Sequence, residues 1–491
     1  MPALPPTRPR LFRPRRKPVL RAVALVCTAA FLAACGADSD SGSGSGGTVE
    51  VVVGYQSKTI NTVTAGTLLR AQGYFEKRLA EAGAQSGTKY KVTWQDYDTG
   101  APITTQMVAG KIDIGSMGDY PLLINGSRTQ PLGDDRTVMV SVTGYNLRGG
   151  LNSVVVPKDS KAASLADLKG KSVSTSVGSA GHGVLVRALE QAGLGADAVK
   201  VENQQPQVGA SALESGGVAA QSQFVAWPGL LVFQDRARLL YDGAATRFPT
   251  LHGVVVREKY AKGRPEVIDA FLKAQLDATR FLHEQPLKAA RSVASDTGLP
   301  PEVVYLYNGP AGISTFDATL KPTLTDAMDR DIPLLKSIAD LKALDMKAFV
   351  DDTWLRKAYG PEYDADLAST ENPARITGTD AACTVPVTDE ATAGEIWVDG
   401  EDATRPAANP VCLLRQVRQI QATGGKVRVG YVPDATTGTR WYADKAVWVS
   451  DPGAAPEARF VPFAAPDTAQ AFVAAHPGST VVPYAEAVNA A

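Results

Sequence analysis

The run Val49-Glu50-Val51-Val52-Val53 ends at Gly54, and from there short apolar, β-branched runs alternate with helical patterns along most of the chain. Strand–helix alternation of this kind dictates a parallel or mixed sheet covered by helices, an α/β fold. Strands are expected over 49–53, 90–94 and 112–115, with helices over 64–82 and 103–109, the second stopped at Gly110. A second set follows, with strands over 151–157, 172–175, 199–201, 221–225 and 251–256. Its helices fall over 182–192, which ends at Gly193, and over 209–214. Helices dominate from 265 to about 357, broken at Pro286, Pro300-Pro301 and Pro310. The polar, turn-rich stretch 364–379 reads as a linker. A third unit then has strands over 395–398, 426–432, 446–450 and 480–482 around helices over 411–422 and 468–475. A length of 491 residues fits two or three domains.

The N-terminus runs from basic (Arg8, Arg10, Arg13, Arg15, Arg16, Lys17, Arg21) to apolar (22–34), the order of a secretory signal and too short to span a bilayer. Leu32-Ala33-Ala34-Cys35 resembles the bacterial lipobox, whose cysteine becomes the lipidated first residue. Residues 36–47 (GADSDSGSGSGG) form a flexible tether behind it. The expectation is an extracytoplasmic protein, lipid-anchored at Cys35 to the bacterial cell membrane. Removing residues 1–34 leaves 43 Lys and Arg against 51 Asp and Glu, a formal charge of −8. So acidic a body lacks the basic face that nucleic-acid binding needs. In the body only Cys383 and Cys412 remain, and outside the cytoplasm disulfides persist, so the two are expected to pair; two unrelated buried thiols are the alternative. His182, His252, His283 and His476 are scattered, and no spacing suits zinc.

Three local features carry the candidate site. In α/β folds ligands bind beyond the carboxyl ends of strands, where the turn Gly54-Tyr55-Gln56-Ser57 places an aromatic wall (Tyr55) and an amide (Gln56). Asp98-Thr99-Gly100-Ala101-Pro102 and Gly115-Ser116-Met117-Gly118-Asp119-Tyr120-Pro121 read as Gly-containing loops able to aim backbone amides at a ligand. Asp119 fits either a ligand contact or a helix N-cap. Gly178-Ser179-Ala180-Gly181-His182 opens a helix, whose free amides attract anions; Ser179 adds a hydroxyl, and His182 is a ligand donor or a capping residue. The phosphate-loop signature is absent, which excludes a nucleotide site of that kind.

These segments, with Met107 to Gly115, Ser164-Leu165-Ala166-Asp167-Leu168-Lys169-Gly170-Lys171 and the run from Val177 to Leu194, resemble the solute-binding proteins of ABC importers for nitrate, taurine and aliphatic sulfonates. The resemblance covers about 48–360. It implies a two-lobed periplasmic-binding-protein-like fold of type II, with lobe I over 48–150, lobe II over 151–256 and a return to lobe I over 257–363. A small anionic solute would be trapped by lobe closure and delivered to a membrane permease, with no cofactor and no catalysed reaction, by a monomer. The implied ligand contacts are Tyr55, Gln56, Gly118, Asp119, Ser179 and His182, with Trp227 of Ala226-Trp227-Pro228 as a further candidate. No Arg sits in these loops to clamp a sulfonate or nitrate; Arg148 is the nearest basic option. A pyrimidine-precursor (thiamine-related) binding protein is the alternative. The extra α/β domain over 380–491, with Trp441 to Val449 and His476-Pro477-Gly478, faintly resembles the copper-handling accessory lipoproteins of nitrous-oxide reduction, so a metal-handling role through this domain is a further alternative.

Overall fold

The computed structural model describes residues 47–491, so the leader, Cys35 and the tether up to residue 46 lie outside the described residues. Strands β1 (Thr48–Tyr55), β2 (Lys89–Asp96), β3 (Ile114–Gly118) and β4 (Thr137–Asn146) belong to one sheet. A second sheet holds β5 (Asn152–Pro157), β6 (Ser172–Thr175), β7 (Lys200–Asn203), β8 (Ala220–Phe224) and β9 (Ala237–Asp242). β10 (Thr250–Arg257) then returns to the first sheet, and β11 (Thr315–Phe316) adds to its edge. The orders are β11-β4-β10-β3-β1-β2 and β7-β6-β8-β5-β9.

The two sheets share one plan. β1 pairs in parallel with β2 and β3, as β6 does with β7 and β8. Beside each parallel set lies one antiparallel strand, β10 in lobe I and β5 in lobe II. Each comes straight from the other lobe, β5 after β4 and β10 after β9, so the lobes exchange strands. The expected boundary at 256 therefore moves. Residues 250–256 belong to lobe I, because β10 pairs with β3 and β4.

The two crossings are bound to each other. Asn146 Oδ1 accepts from the amides of Arg148, Gly149 and Gly150, and the Phe248 amide donates to the Arg148 carbonyl at 3.1 Å. Gly149 has φ +103°, and a Cβ there would lie 2.8 Å from the Gly243 carbonyl oxygen of the second crossing. Only glycine suits that backbone and that approach.

Two expectations about local structure are corrected. The helix expected over 64–82 is a 3-10 turn (Ile60–Ala65) and two helices (Thr67–Ala71, Tyr74–Ser86) parted at Gly73, φ +65°. The break lets Ile60, Val63 and Leu68 join the core behind the crossings while Phe75 and Leu79 pack on the lobe I sheet. Gly115–Gly118, expected as loop, is β3 itself. It is buried throughout, and a Cβ on Gly115 would come within 2.9 Å of Ile103 and Met107, so small residues occur where strand propensity alone predicts none.

The C-terminal part builds two small sheets. In the first, β12 (Gly394–Val398), β13 (Arg405–Ala407), β14 (Val427–Pro433) and β15 (Arg440–Tyr442) are ordered β13-β12-β14-β15. In the second, β16 (Val447–Ser450) lies between β17 (Phe460–Phe463) and β18 (Thr480–Val482). Cys383 and Cys412 form a disulfide with Cα atoms 5.8 Å apart. Asp380 lies beside it, but its oxygens already accept from the amides of Ala382, Cys383 and Ala408.

The stretch 364–379 is not a free linker. It carries the end of the helix Tyr363–Ala368, and the Ala374 carbonyl accepts from the Ala311 amide at 2.8 Å. The tail shares a core with the two-lobed body, where Trp397, Val429, Tyr431, Trp441 and Tyr442 pack with Leu230, Val303 and Leu306. At the joint, Arg440 pairs with Glu395 at 2.6 Å, the two side chains 4% and 6% exposed. The Arg440 guanidinium also stacks on Tyr305 and Tyr431 and donates to the Pro310 carbonyl. Removing one partner of such a pair strands a buried charge at a cost of about 3–5 kcal/mol. Arg440→Met should lower the unfolding free energy in urea by roughly that amount, whereas Arg440→Met with Glu395→Gln should recover much of it. Equal stability of the single variant and the parent would remove the pair as a stabilising element of this joint.

Candidate functional site

The strand exchange turns the carboxyl ends of both parallel sets toward one cleft, which encloses a cavity of about 190 Å³. Lobe I lines it with Gln56 after β1, Thr99, Gly100 and Ala101, Gly118 at the end of β3 and Pro121 beyond it, and His252 on β10. Lobe II contributes the loop 176–180 after β6, Asn203 at the end of β7 and Gln205 beyond it, and Phe224 at the end of β8. None of these side chains is Lys, Arg, Asp or Glu.

Three helices begin at this cavity: Gly100–Val108, Asp119–Thr129 and Ala180–Gln191. Their N-cap residues are Thr99, Gly118 and Ser179. Thr99 and Gly118 give no side-chain cap, so the Gly100 and Ala101 amides have no intrahelical partner and remain available to a ligand, while at the second helix the Tyr120 amide is already taken by the Asp119 carboxylate. Ser179 Oγ accepts from the His182 amide at 3.4 Å. The first two helix starts approach closely because Gly100 has no side chain; a Cβ there would lie 2.6 Å from Pro121 Cβ. Together these dipole ends make a concavity suited to negative charge.

Of the residues expected from the sequence, Gln56, Gly118 and Ser179 line the cavity. Gln56 is held across to β3, its Nε2 donating to the Ser116 carbonyl at 3.3 Å. The other four lie elsewhere. Tyr55 points out of the cleft into the lobe I interior, its ring edge-on to Trp94 at 5.7 Å with the Arg70 guanidinium 5.9 Å away. Strand alternation decides this, because consecutive residues of β1 face opposite sides. Asp119 is not among the residues lining the cavity, and it is not the N-cap but the first residue of its helix, its carboxylate accepting from the amides of Tyr120 (2.8 Å) and Leu251 (3.2 Å). The His182 ring folds back on its own loop, where Nδ1 accepts from the Gly178 amide at 3.4 Å. Trp227 starts a short helix packed against the core behind the crossings. Thr99, Gly100 and Ala101 of the Gly-containing loop also line the cavity, whereas Asn203, Gln205, Phe224 and His252 were missed. For His252 a signal existed, a lone imidazole in the apolar strand Thr250–Arg257.

A polar network joins the lobes beside the cavity. Tyr120, from lobe I, lies against Gly183 of the lobe II helix Ala180–Gln191, where a Cβ would sit 2.2 Å from its ring. Tyr120 donates its hydroxyl to Asp331 at 3.0 Å, and Arg187 of the same lobe II helix pairs with Asp331 at 2.6 Å. The Arg187 guanidinium stacks 3.7 Å from the Phe248 ring, which lies on the second crossing.

Burial pushes the Asp119 carboxyl up to about 7, with the Asp331 charge adding to the rise and the two backbone amides opposing it. Asp331 rises to about 6, again through burial, against the pull of Arg187 and Tyr120. An unfolded Asp titrates near about 3.9, so the folded chain binds more protons between about pH 4 and 7. These groups therefore make stability fall as pH rises through that window. In urea titrations across it, Asp119→Asn should lose less stability than the parent chain. Identical slopes would show that Asp119 does not titrate there.

Residues 133–289 match the family model described as NMT1/THI5 like, a span that takes in β4, lobe II, β10 and the helix Pro265–Glu284. The chain is 27% identical over 338 residues to a Bacillus subtilis (strain 168) protein named for binding aliphatic sulfonates, covering 68% of this chain and 96% of that one. It is 29% identical over 233 residues to the taurine-binding periplasmic protein of Escherichia coli (strain K12), covering 47% and 65%. Among solved structures, the alkanesulfonate-binding protein of Xanthomonas axonopodis pv. citri bound to MOPS aligns at 22% identity and a TM-score of 0.49, over 63% of this chain and 97% of that one. The chain thus carries an NMT1/THI5-like domain within a region similar to proteins named for binding aliphatic sulfonates and taurine.

Proposed function

We propose that this chain is the extracytoplasmic solute-binding component of an ABC importer, held at the membrane by a lipid on Cys35, and that it captures a small oxyanion such as an aliphatic sulfonate between its lobes. The observation that carries the reading is the convergence of three helix starts on one interlobe cavity with a wholly uncharged lining. Such a wall holds an anion through oriented amide and hydroxyl dipoles that are in place before the ligand arrives. Phe224, Pro121 and Val177 add apolar surface for an alkyl chain. Ligand contacts to both lobes stabilise the closed arrangement over an open one, which a membrane permease then recognises.

Similarity to proteins named for sulfonates and taurine supports this reading over a thiamine precursor. The copper-handling alternative for the tail loses its best ligand group, because the two thiols beside Asp380 are joined to each other.

A thermal-shift screen of the mature protein tests the proposal, with alkanesulfonates, taurine, nitrate, sulfate and a pyrimidine precursor as probes. Ligand at a hundred times its Kd adds about 2.7 kcal/mol to the folded state, which raises the melting temperature measurably. Ethanesulfonate or another alkanesulfonate should give the shift, and Ser179→Ala should diminish that ligand-induced shift while lowering the ligand-free stability by about 1 kcal/mol through loss of its N-cap. Tyr55→Ala should instead lower the ligand-free melting point, since its ring fills lobe I beside Trp94. No shift with any oxyanion would end the proposal.

A further inference from the structure

His252 is 4% exposed, lines the interlobe cavity, and stands beside Gly118, where a Cβ would lie 2.9 Å from its Nε2. Its other ring nitrogen, Nδ1, meets the side-chain amide of Asn61, a fully buried residue of the 3-10 turn Ile60–Ala65. The direction of that hydrogen bond follows from a third group. Asn61 Nδ2 also donates to the Gly144 carbonyl at 3.2 Å, and a carbonyl can only accept. The amide nitrogen is therefore fixed on that side, and its second hydrogen goes to His252 Nδ1. Nδ1 must accept, so the ring proton sits on Nε2. Nε2 has no hydrogen-bond partner among the described residues. Burial holds the ring neutral by pushing its pKa down to about 3.

We propose that His252 Nε2–H is a ligand-contacting donor of the interlobe site, locked in that tautomer by Asn61, and that it restricts the site to groups presenting a proton-free acceptor oxygen at that point. The inference rests on the ligand reading above and goes beyond it by naming the atom that reads the ligand and the residue that sets its state. Sulfonate, sulfate and nitrate oxygens satisfy Nε2–H from any face. An ammonium or amide N–H at the same place would set donor against donor in a buried site, and discrimination of this kind is steep. Asn61 touches no ligand and acts as a positioning residue.

Two measurements test this. Isothermal titration with ethanesulfonate should show His252→Asn, whose amide is too short to reach the Nε2 position, binding about tenfold or more weakly than the parent. His252→Gln, with a longer reach, should recover part of the loss. Separately, nitrogen NMR of the ligand-free chain should find Nε2 protonated and Nδ1 bare, and Asn61→Asp, which offers only acceptors, should move the proton onto Nδ1. A protonated Nδ1 in the parent chain overturns the inference, as does unchanged affinity in His252→Asn. A parent chain that binds no oxyanion at all overturns the ligand reading and this inference with it; a parent that binds while His252→Asn matches it overturns the inference alone.

Discussion

The exchange of antiparallel strands between the two sheets is the constraint on which the rest depends. β10 completes lobe I only after the chain has built lobe II, and β5 completes lobe II only because β4 leads into it. Neither sheet closes its hydrogen-bond ladder without the other's connection. The two crossings, packed backbone to backbone at Gly149 and Gly243, therefore set where the lobes face each other. That arrangement aims the carboxyl ends of β1, β3, β6, β7 and β8 at one cleft, and the helices that follow begin there.

The cleft separates its charges from its donors. Donors without formal charge face the cavity, while Asp119, Asp331 and Arg187 sit behind it in a network that ties the lobes together. A buried carboxylate close to an anion site would oppose binding, and the raised pKa values of Asp119 and Asp331 lower that opposition. The polar contact to Asp331 from both lobes also depends on Gly183, which leaves room for the Tyr120 ring. The cavity lining and the lobe contact are thus built from neighbouring residues of the same helix starts.

The C-terminal part is fastened to both the helical segment and lobe II. Arg440, Glu395 and Tyr305 join it to the helix Pro301–Asn308, and Arg428 pairs with Glu302 there. On the lobe II side, Thr437 donates to Asp242 at 2.7 Å, Tyr442 donates to the Gly229 carbonyl at 3.2 Å, and Lys445 pairs with Asp235 at 3.0 Å. It reads as a brace behind the cleft, with its disulfide holding the segment around Cys383 to the helix Pro410–Ala422.

Periodicity and turn residues determined much by themselves. The α/β class, most of the strands, and the start of the helix Ala180–Gln191 all follow from local chemistry, because side-chain spacing and glycine stops act within a few residues. The pairing of Cys383 with Cys412 followed from export chemistry and the lack of other thiols. Gln56, Gly118 and Ser179 were legible as strand-end and helix-start positions. Only the tertiary structure decided that β10 belongs to lobe I and that the tail shares the body's core. It also brought His252 to Asn61, which lies 191 residues away in sequence. The physical reason is the same in each case: a side chain's role here is set by what packs against it across the strand exchange, and no local pattern encodes a neighbour that distant.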